Sequence, residues 1–181
     1  MKEMHQIASQ IICPICGEQL FCDSLNTLLL CKQNHKWDVI SGVPRLVKSI
    51  NNYASAFGSQ WKRYRKTQLD SYTKTNITKE RLVKALGPFQ KILNQKKKID
   101  VLEVGCGSGR FTEILLSNKN IELTSVDFSS AVEANYKNFK KNDRHVILQC
   151  DINNHPFKNN QFYFFICLGV VKHIPDLESP L

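Results

Sequence analysis

Apolar and polar positions change rhythm along this chain, and the changes mark its elements. Ile99, Val101, Leu102 and Val104 form a short apolar run that suits a parallel strand buried on both faces. Phe111, Ile114 and Leu115 then recur at helical spacing. Ile121, Leu123 and Val126 give a second strand, closed by Asp127. Val132, Tyr136 and Phe139 are the inner face of the next helix, for which Ser130 and Glu133 read as a capping box. A third strand over His145–Cys150 ends at Asp151 and Ile152, and a very apolar fourth runs over 162–168. Strands alternating with helices predict an open, doubly wound α/β sheet whose strands lie in the order 3-2-1-4.

Upstream the rhythm is different. Leu20-Phe21 and Leu28-Leu29-Leu30 are short strand-like pairs, with Trp37, Val39, Ile40 and Val43 as a small core. Tyr53, Phe57, Trp61 and Tyr64 recur at spacings of four, four and three, an aromatic stripe on an amphipathic helix. Lys62, Arg63, Arg65 and Lys66 occupy its polar face. A stripe with basic neighbours is either a base-stacking surface or, more commonly, a packing face with solvated charges. Thr78 is the candidate N-cap of a further helix carrying Leu82, Val83 and Leu86, which Gly87-Pro88 ends. The Lys96-Lys97-Lys98 run reads as a solvated lead-in to the strand that follows. The chain therefore divides into 1–48, a helical connector over 49–98, and an α/β core over 99–181.

Chemistry enters at two places. Cys13-Pro-Ile-Cys16-Gly is a metal knuckle, and Cys31 and His35 follow at C-x3-H spacing. Four such ligands suit tetrahedral zinc, and a site with no open position is structural. Cys22 is an alternative to His35 as the fourth ligand. A segment this short cannot bury enough surface alone, so the metal would supply folding energy. The second place is the turn after the first core strand, Glu103-Val-Gly105-Cys106-Gly107-Ser108-Gly109. The dinucleotide fingerprint needs a glycine where Arg110 stands, and no Gly-Lys-Ser/Thr closes a P-loop.

The acidic-x-Gly-x-Gly-x-Gly stretch, between a strand and a helix, resembles motif I of the class I S-adenosylmethionine (SAM) methyltransferases. That resemblance implies a Rossmann-like sheet, here its first part. It also implies SAM contacts from Glu103, Gly105, Cys106, Gly107, Gly109 and Phe128, and Asp127 lies about 20 residues beyond the glycines, where an acid can accept from both ribose hydroxyls. Asp151 and Ile152 would meet the adenine, and Leu168 the methionine part. The stretch Gly169-Val-Val-Lys-His-Ile-Pro-Asp176 is similar to the family's next segment, where His173 is the candidate catalytic base. A loop histidine packed on the next helix is the competing role. The 1–48 segment resembles the zinc-ribbon modules that precede some bacterial methyltransferases, Gly42-Val-Pro-Arg-Leu46 looking like their exit sequence. Phe57-Gly-x-Gln-Trp61 with Thr67-Gln-Leu-Asp-Ser71 is similar to a connector in a bacterial group that serves surface-polysaccharide or other small-molecule pathways. There the connector is expected to lid the cofactor.

Composition narrows the picture a little. The 181 residues carry a formal net charge of +9, which admits a polyanion such as RNA as partner but equally a merely soluble basic surface. Ribbons of this type also precede certain rRNA guanine methyltransferases, so rRNA methylation is the second reading after a small-molecule acceptor. A non-catalytic zinc- and SAM-binding module is the third. Leu168-Gly-Val-Val171 stands where base N-methyltransferases often carry Asn/Asp-Pro-Pro-aromatic, which weighs against base methylation. With no signal-peptide core and no membrane-spanning apolar run, the expectation is a cytoplasmic protein, and its seven cysteines read as ligands or core residues. Resemblance to longer family members implies that three further strands would follow residue 181. The fourth strand would then be an apolar edge able to self-associate.

Overall fold

The computed structural model describes residues 3–49, 54–95 and 97–170. Tyr53 and Lys96, and the 171–176 stretch with His173, lie outside the described residues. The N-terminal part contains α1 (Met4–Ser9), β1 (Phe21–Cys22), β2 (Leu28–Leu30), β3 (Lys36–Ile40) and β4 (Val43–Leu46). The connector holds α2 (Ser55–Arg63), α3 (Asp70–Thr73), α4 (Ile77–Leu86) and α5 (Phe89–Gln95). The core then runs β5 (Ile99–Val104), α6 (Arg110–Ser117), β6 (Ile121–Asp127), α7 (Val132–Phe139), β7 (His145–Cys150) and β8 (Phe164–Cys167).

Among the described residues these strands form one eight-stranded sheet, ordered β1-β2-β3-β4-β7-β6-β5-β8. The four core strands are parallel to one another and lie third-second-first-fourth in chain order. The N-terminal strands are antiparallel up to β4, which turns parallel and pairs with β7 through Arg45 opposite Gln149 and Leu46 opposite Cys150. The 1–48 segment is thus not a free-standing module: its last strand extends the core sheet past β7. All four residues of β4 are buried, and that explains the apolar Val43 and Leu46.

Side-chain alternation splits the core between two faces. Leu102, Val104, Val126, Val146 and Leu148 point to one face and pack with Ile7, Ile11, Leu20, Leu29 and Trp37 of the N-terminal segment. Ile99, Val101, Ile121 and Leu123 point to the other, under Phe111 and Leu115 of α6 and Leu82 of α4. β8 is shorter than the expected 162–168 strand. Tyr163 and Phe165 are exposed, while Ile166 is buried in the core.

Two expected caps are built differently. The α7 N-cap residue is Ala131, whose N–H donates to Ser129 Oγ. Glu133 turns away to pair with Arg45 and Lys62. The first turn of α4 starts at Ile77, and Thr78 is buried inside it. Its N–H and that of Lys79 donate to the two oxygens of Asp70 at 3.1 and 2.9 Å, so a carboxylate eight residues upstream of Thr78 caps the helix in place of a local side chain. Burial pulls the Asp70 carboxyl up, but these N–H bonds prevail and hold it below the usual range.

Candidate cofactor cleft and metal centre

The carboxyl ends of β5, β6, β7 and β8 open into one cleft of about 340 Å³. Its lining follows the strand ends: Val104 to Ser108, Val126 to Ser129, Cys150 to Ile152, and Leu168 to Val170. The order of strands reverses between β5 and β8, and open α/β sheets bind their ligands at such a reversal. Gly107 has φ +51°, and a β-carbon there would find nothing closer than the Trp61 indole nitrogen at 3.6 Å. At Gly107 the backbone is therefore bare, with room for about a β-carbon between it and the Trp61 indole, where glycine permits a close approach. Gly105 is different, since a β-carbon on it would collide with Val170.

Asp127 is the hinge of this loop. Its Oδ2 accepts from Gly107 N–H at 2.8 Å, and its Oδ1 accepts from Ser129 N–H and Ser129 Oγ–H at 2.8 and 2.7 Å. A carboxylate offers about four acceptor sites, so one remains on Oδ2. Asp127 thus has one acceptor position left for a further donor. Burial raises its pKa, against the bonds from Ser129 and Gly107. Asp151 caps the 3-10 turn Ile152–Asn154 by accepting from Asn153 N–H, and both Asp151 and Ile152 line the cleft with Phe128, Cys106 and Leu168. Burial, with the charges of Asp127 and Glu103, pushes the Cys106 thiol far above its ordinary value, which makes it an inert wall rather than a nucleophile.

Glu103 does not reach the cleft. The structure corrects the expectation of a cofactor contact: on alternation Glu103 points to the helix-covered face, and it is almost fully buried. Its Oε2 accepts from Thr112 Oγ of α6 at 2.6 Å and from Ser125 Oγ of β6 at 2.7 Å. Thr112 in turn accepts from Asn135 Nδ2 of α7 at 2.9 Å. Ser125 Oγ lies 2.9 Å from His145 Nε2 of β7, and since its proton goes to Glu103 it accepts from the imidazole. Burial drops the His145 pKa to about 3, so the ring is neutral with its proton on Nε2. Burial lifts the Glu103 carboxyl to about 7, against the bonds from Thr112 and Ser125. The acid that precedes the glycines therefore ties together the elements that hold the loop.

The connector covers the cleft. Phe57 and Trp61 of α2 line it, which explains an aromatic stripe left partly exposed. α2 sits close because Gly58 is small: a β-carbon there would overlap Ser130. Lys62 pairs with Glu133 at 3.1 Å. Arg65 and Asn138 exchange bonds at 2.8 and 2.9 Å, and Asn138 also donates to Ser108 O. Gln68, Arg81 and Arg110 complete this wall. In the sequence Arg110 stands out only as a missing glycine, and the one signal of Arg81 is its place one turn into a helix whose start Asp70 fixes.

At the other end of the sheet Cys13, Cys16, Cys31 and His35 bring their ligand atoms within 4.8 Å of one another. His35 Nδ1 lies 3.5 Å from Cys13 Sγ and 3.4 Å from Cys31 Sγ, and Cys16 Sγ lies 3.6 Å from Cys31 Sγ. A tetrahedral zinc with Zn–S about 2.3 Å and Zn–N about 2.0–2.1 Å sets S···S near ~3.8 Å and S···N near ~3.5 Å. The donor set and its spacing fit that ion. Cys22 is not in the cluster; it pairs with Leu29 across β1 and β2. Burial raises the Cys13 thiol, yet the N–H groups of Ile15 and Cys16, with Trp37 and Cys16 side chains, bring it down to about 7.

Strand order and cleft define an open α/β sheet with a cavity at its topological switch point. Residues 102–181 match a family described as "Methyltransferase domain". One similar solved structure is a Methanococcus maripaludis protein described as a "putative s-adenosyl-l-methionine-dependent methyltransferase". It shares 20% identity and a TM-score of 0.52 over 72% of this chain and 57% of that one. The chain thus spans little more than half the length of that structure. No curated protein matches the chain. The core shares a Rossmann-like sheet with that structure, and its 102–181 stretch is similar to the methyltransferase family. Among the described residues no helix is long and apolar enough to cross a membrane.

Proposed function

We propose that the chain works as a SAM-dependent methyltransferase on a small-molecule acceptor, a sugar or glycolipid precursor being the class its connector resembles. The observation that carries the reading is the convergence of four strand ends and a bare glycine turn on one covered cleft. When bound, SAM supplies a methyl group activated on a sulfonium. The chain's own residues bind and orient. Asp127 holds one ribose hydroxyl on the free site of Oδ2 and keeps the Gly107 N–H in place. Asp151 takes the adenine amino group, and Ile152 lies against the ring. Phe57 and Trp61 exclude water over the loop, which strengthens every polar contact beneath them. A covered cleft supports a compact acceptor over a folded RNA.

We also propose that Cys13, Cys16, Cys31 and His35 hold one structural zinc, which leaves no open position for chemistry. Calorimetry of the zinc-replete chain with SAM, S-adenosylhomocysteine and NAD tests the cofactor reading. Binding of the first two and not of NAD is expected; preference for NAD overturns it. Methyl transfer from labelled SAM to sugar acceptors, compared with rRNA, then tests the acceptor. Transfer to rRNA alone refutes the small-molecule reading, and binding without any transfer favours a non-catalytic module.

A further inference from the structure

A second cavity, of about 460 Å³, opens beside His145 at the amino end of β7. It shares no lining residue with the cleft at the carboxyl ends of the strands. The short β4 leaves room for it. Arg45 is in register with Gln149, so β4, which starts at Val43, begins about level with Ile147, past His145. Met4 and Ile7 of α1 wall this corner together with Tyr136 and Phe139 of α7 and with Ile147. Gly42 lets the Tyr136 hydroxyl lie against bare backbone, since a β-carbon there would overlap it. The other lining residues, Glu3, His5, Asn26 and Lys140, are exposed and form the mouth. The volume falls in the range of small-molecule sites, about 300–1,000 Å³.

His145 gives this cavity one polar demand. Its Nε2 donates to Ser125 Oγ, whose own proton goes to Glu103. Its Nδ1 is then a bare lone pair, buried and without a hydrogen-bond partner among the described residues. Burial keeps the ring neutral, so Nδ1 calls for a donor. A buried acceptor left unpaired costs about 1–3 kcal/mol. The walls favour a flat, apolar body. Phe139 meets the His145 ring edge to face with centroids 6.2 Å apart, and the Met4 thioether is a soft neighbour for another ring. A polyol would bring several hydroxyls to the deep wall of Ile7 and Ile147, where the imidazole offers one acceptor. The Phe139 ring also packs against Gly109, where a β-carbon would overlap it, so the cavity backs onto the glycine turn.

We propose that this cavity is a second ligand site, which takes a small planar heteroaromatic molecule whose ring N–H donates to His145 Nδ1. The proposal does not depend on which cofactor the cleft holds. Calorimetry of the full zinc-replete chain with indole and with benzofuran tests it, two ring systems of one shape of which only indole has an N–H. Indole is expected to bind about 2- to 10-fold more tightly, the scale of one hydrogen bond. It should also move the nitrogen resonance of His145 Nδ1 in NMR, which benzofuran should leave in place. M4W fills the half-buried wall and should abolish binding of both; H145F should level the two affinities. Should H145F fail to fold, M4W and the resonance decide. Equal affinities in the wild type overturn the proposal. So does binding of neither ring system, which leaves Nδ1 to a water. Binding that survives M4W and is lost in Trp61→Ala puts indole in the cleft instead, and overturns it as well.

Discussion

Replacing Glu103 by Gln tests whether the acid before the glycines is a structural staple. The carboxyl is buried and its pKa is lifted from 4.5 to about 7. The folded state then holds a proton that the unfolded state releases between those values, so stability falls as pH rises. Below the unfolded value both states are protonated and the burial costs nothing; above the folded value the loss is complete. One pKa unit is about 1.4 kcal/mol, so the full loss is about 3 kcal/mol, of which about 2.5 kcal/mol falls between pH 5 and pH 8. Gln keeps an acceptor for Thr112 and Ser125 and does not titrate. Urea unfolding of both proteins at pH 5 and pH 8 gives the comparison, with other titrations cancelling in the double difference. E103Q should gain about 2.5 kcal/mol on the wild type over that interval. Parallel pH curves would refute the reasoning, because a carboxylate that ionises at no cost is not held in the network described.

Other outcomes follow from the same contacts. C31S or exhaustive chelation should remove one equivalent of zinc and unfold the N-terminal strands, read by metal analysis and circular dichroism. Full zinc retained in His35→Ala and lost in Cys22→Ala would transfer the fourth ligand to Cys22. Asp127→Ala should weaken S-adenosylhomocysteine by about 10- to 100-fold in calorimetry, because a ligand acceptor and the partner of Gly107 N–H disappear together. Asp70→Ala should cost about 1–2 kcal/mol in urea unfolding, the scale of a lost helix cap; an unchanged midpoint would contradict capping by Asp70. Glu133→Gln should cost more, about 3 kcal/mol, since the Arg45 guanidinium would keep its burial and lose its anion.

Much of the core was legible because its signals are local. Strand runs such as His145–Cys150 are buried on both faces, so every residue is informative, and the spacing of Gly105, Gly107 and Gly109 betrays the turn. What stayed hidden depends on partners distant in sequence. Glu103 reads as a ligand contact until Thr112, Ser125, Asn135 and His145 are seen to surround it. Thr78 looks like a cap because capping is usually local, and nothing in sequence announces that Asp70 supplies the acceptor from a preceding helix. The choice between His35 and Cys22 was open because spacing permits both; only the pairing of β1 with β2 carries Cys22 away from the cluster. Gly42 to Leu46 reads only as an exit sequence, since a four-residue strand gives too short a pattern to reveal its pairing with β7.

That short strand changes how the two ends of the molecule relate. Arg45 is buried in β4 and donates to Gln149 Oε1 at 2.9 Å and to Glu133 Oε1 at 3.1 Å. Gln149 donates onward to the carbonyl of Phe128, in the wall of the cleft. Glu133 also holds Lys62 of the covering helix, through its other oxygen. The pair with Lys62 is partly solvated and contributes little by itself. Arg45 is different: with its charge out of water, it depends on Glu133 and Gln149 being where they are. The exit of the segment that carries the Cys/His cluster, the Phe128 edge of the cleft and the helix lining it thus share one buried guanidinium. α2, which docks on the turn before α7 through Gly58 and on α7 through Lys62, finds α7 already fixed by β4. The N-terminal strands are therefore part of the scaffold that positions α2 beside the glycine turn, and their place at the sheet edge beside β7 is what gives them that role.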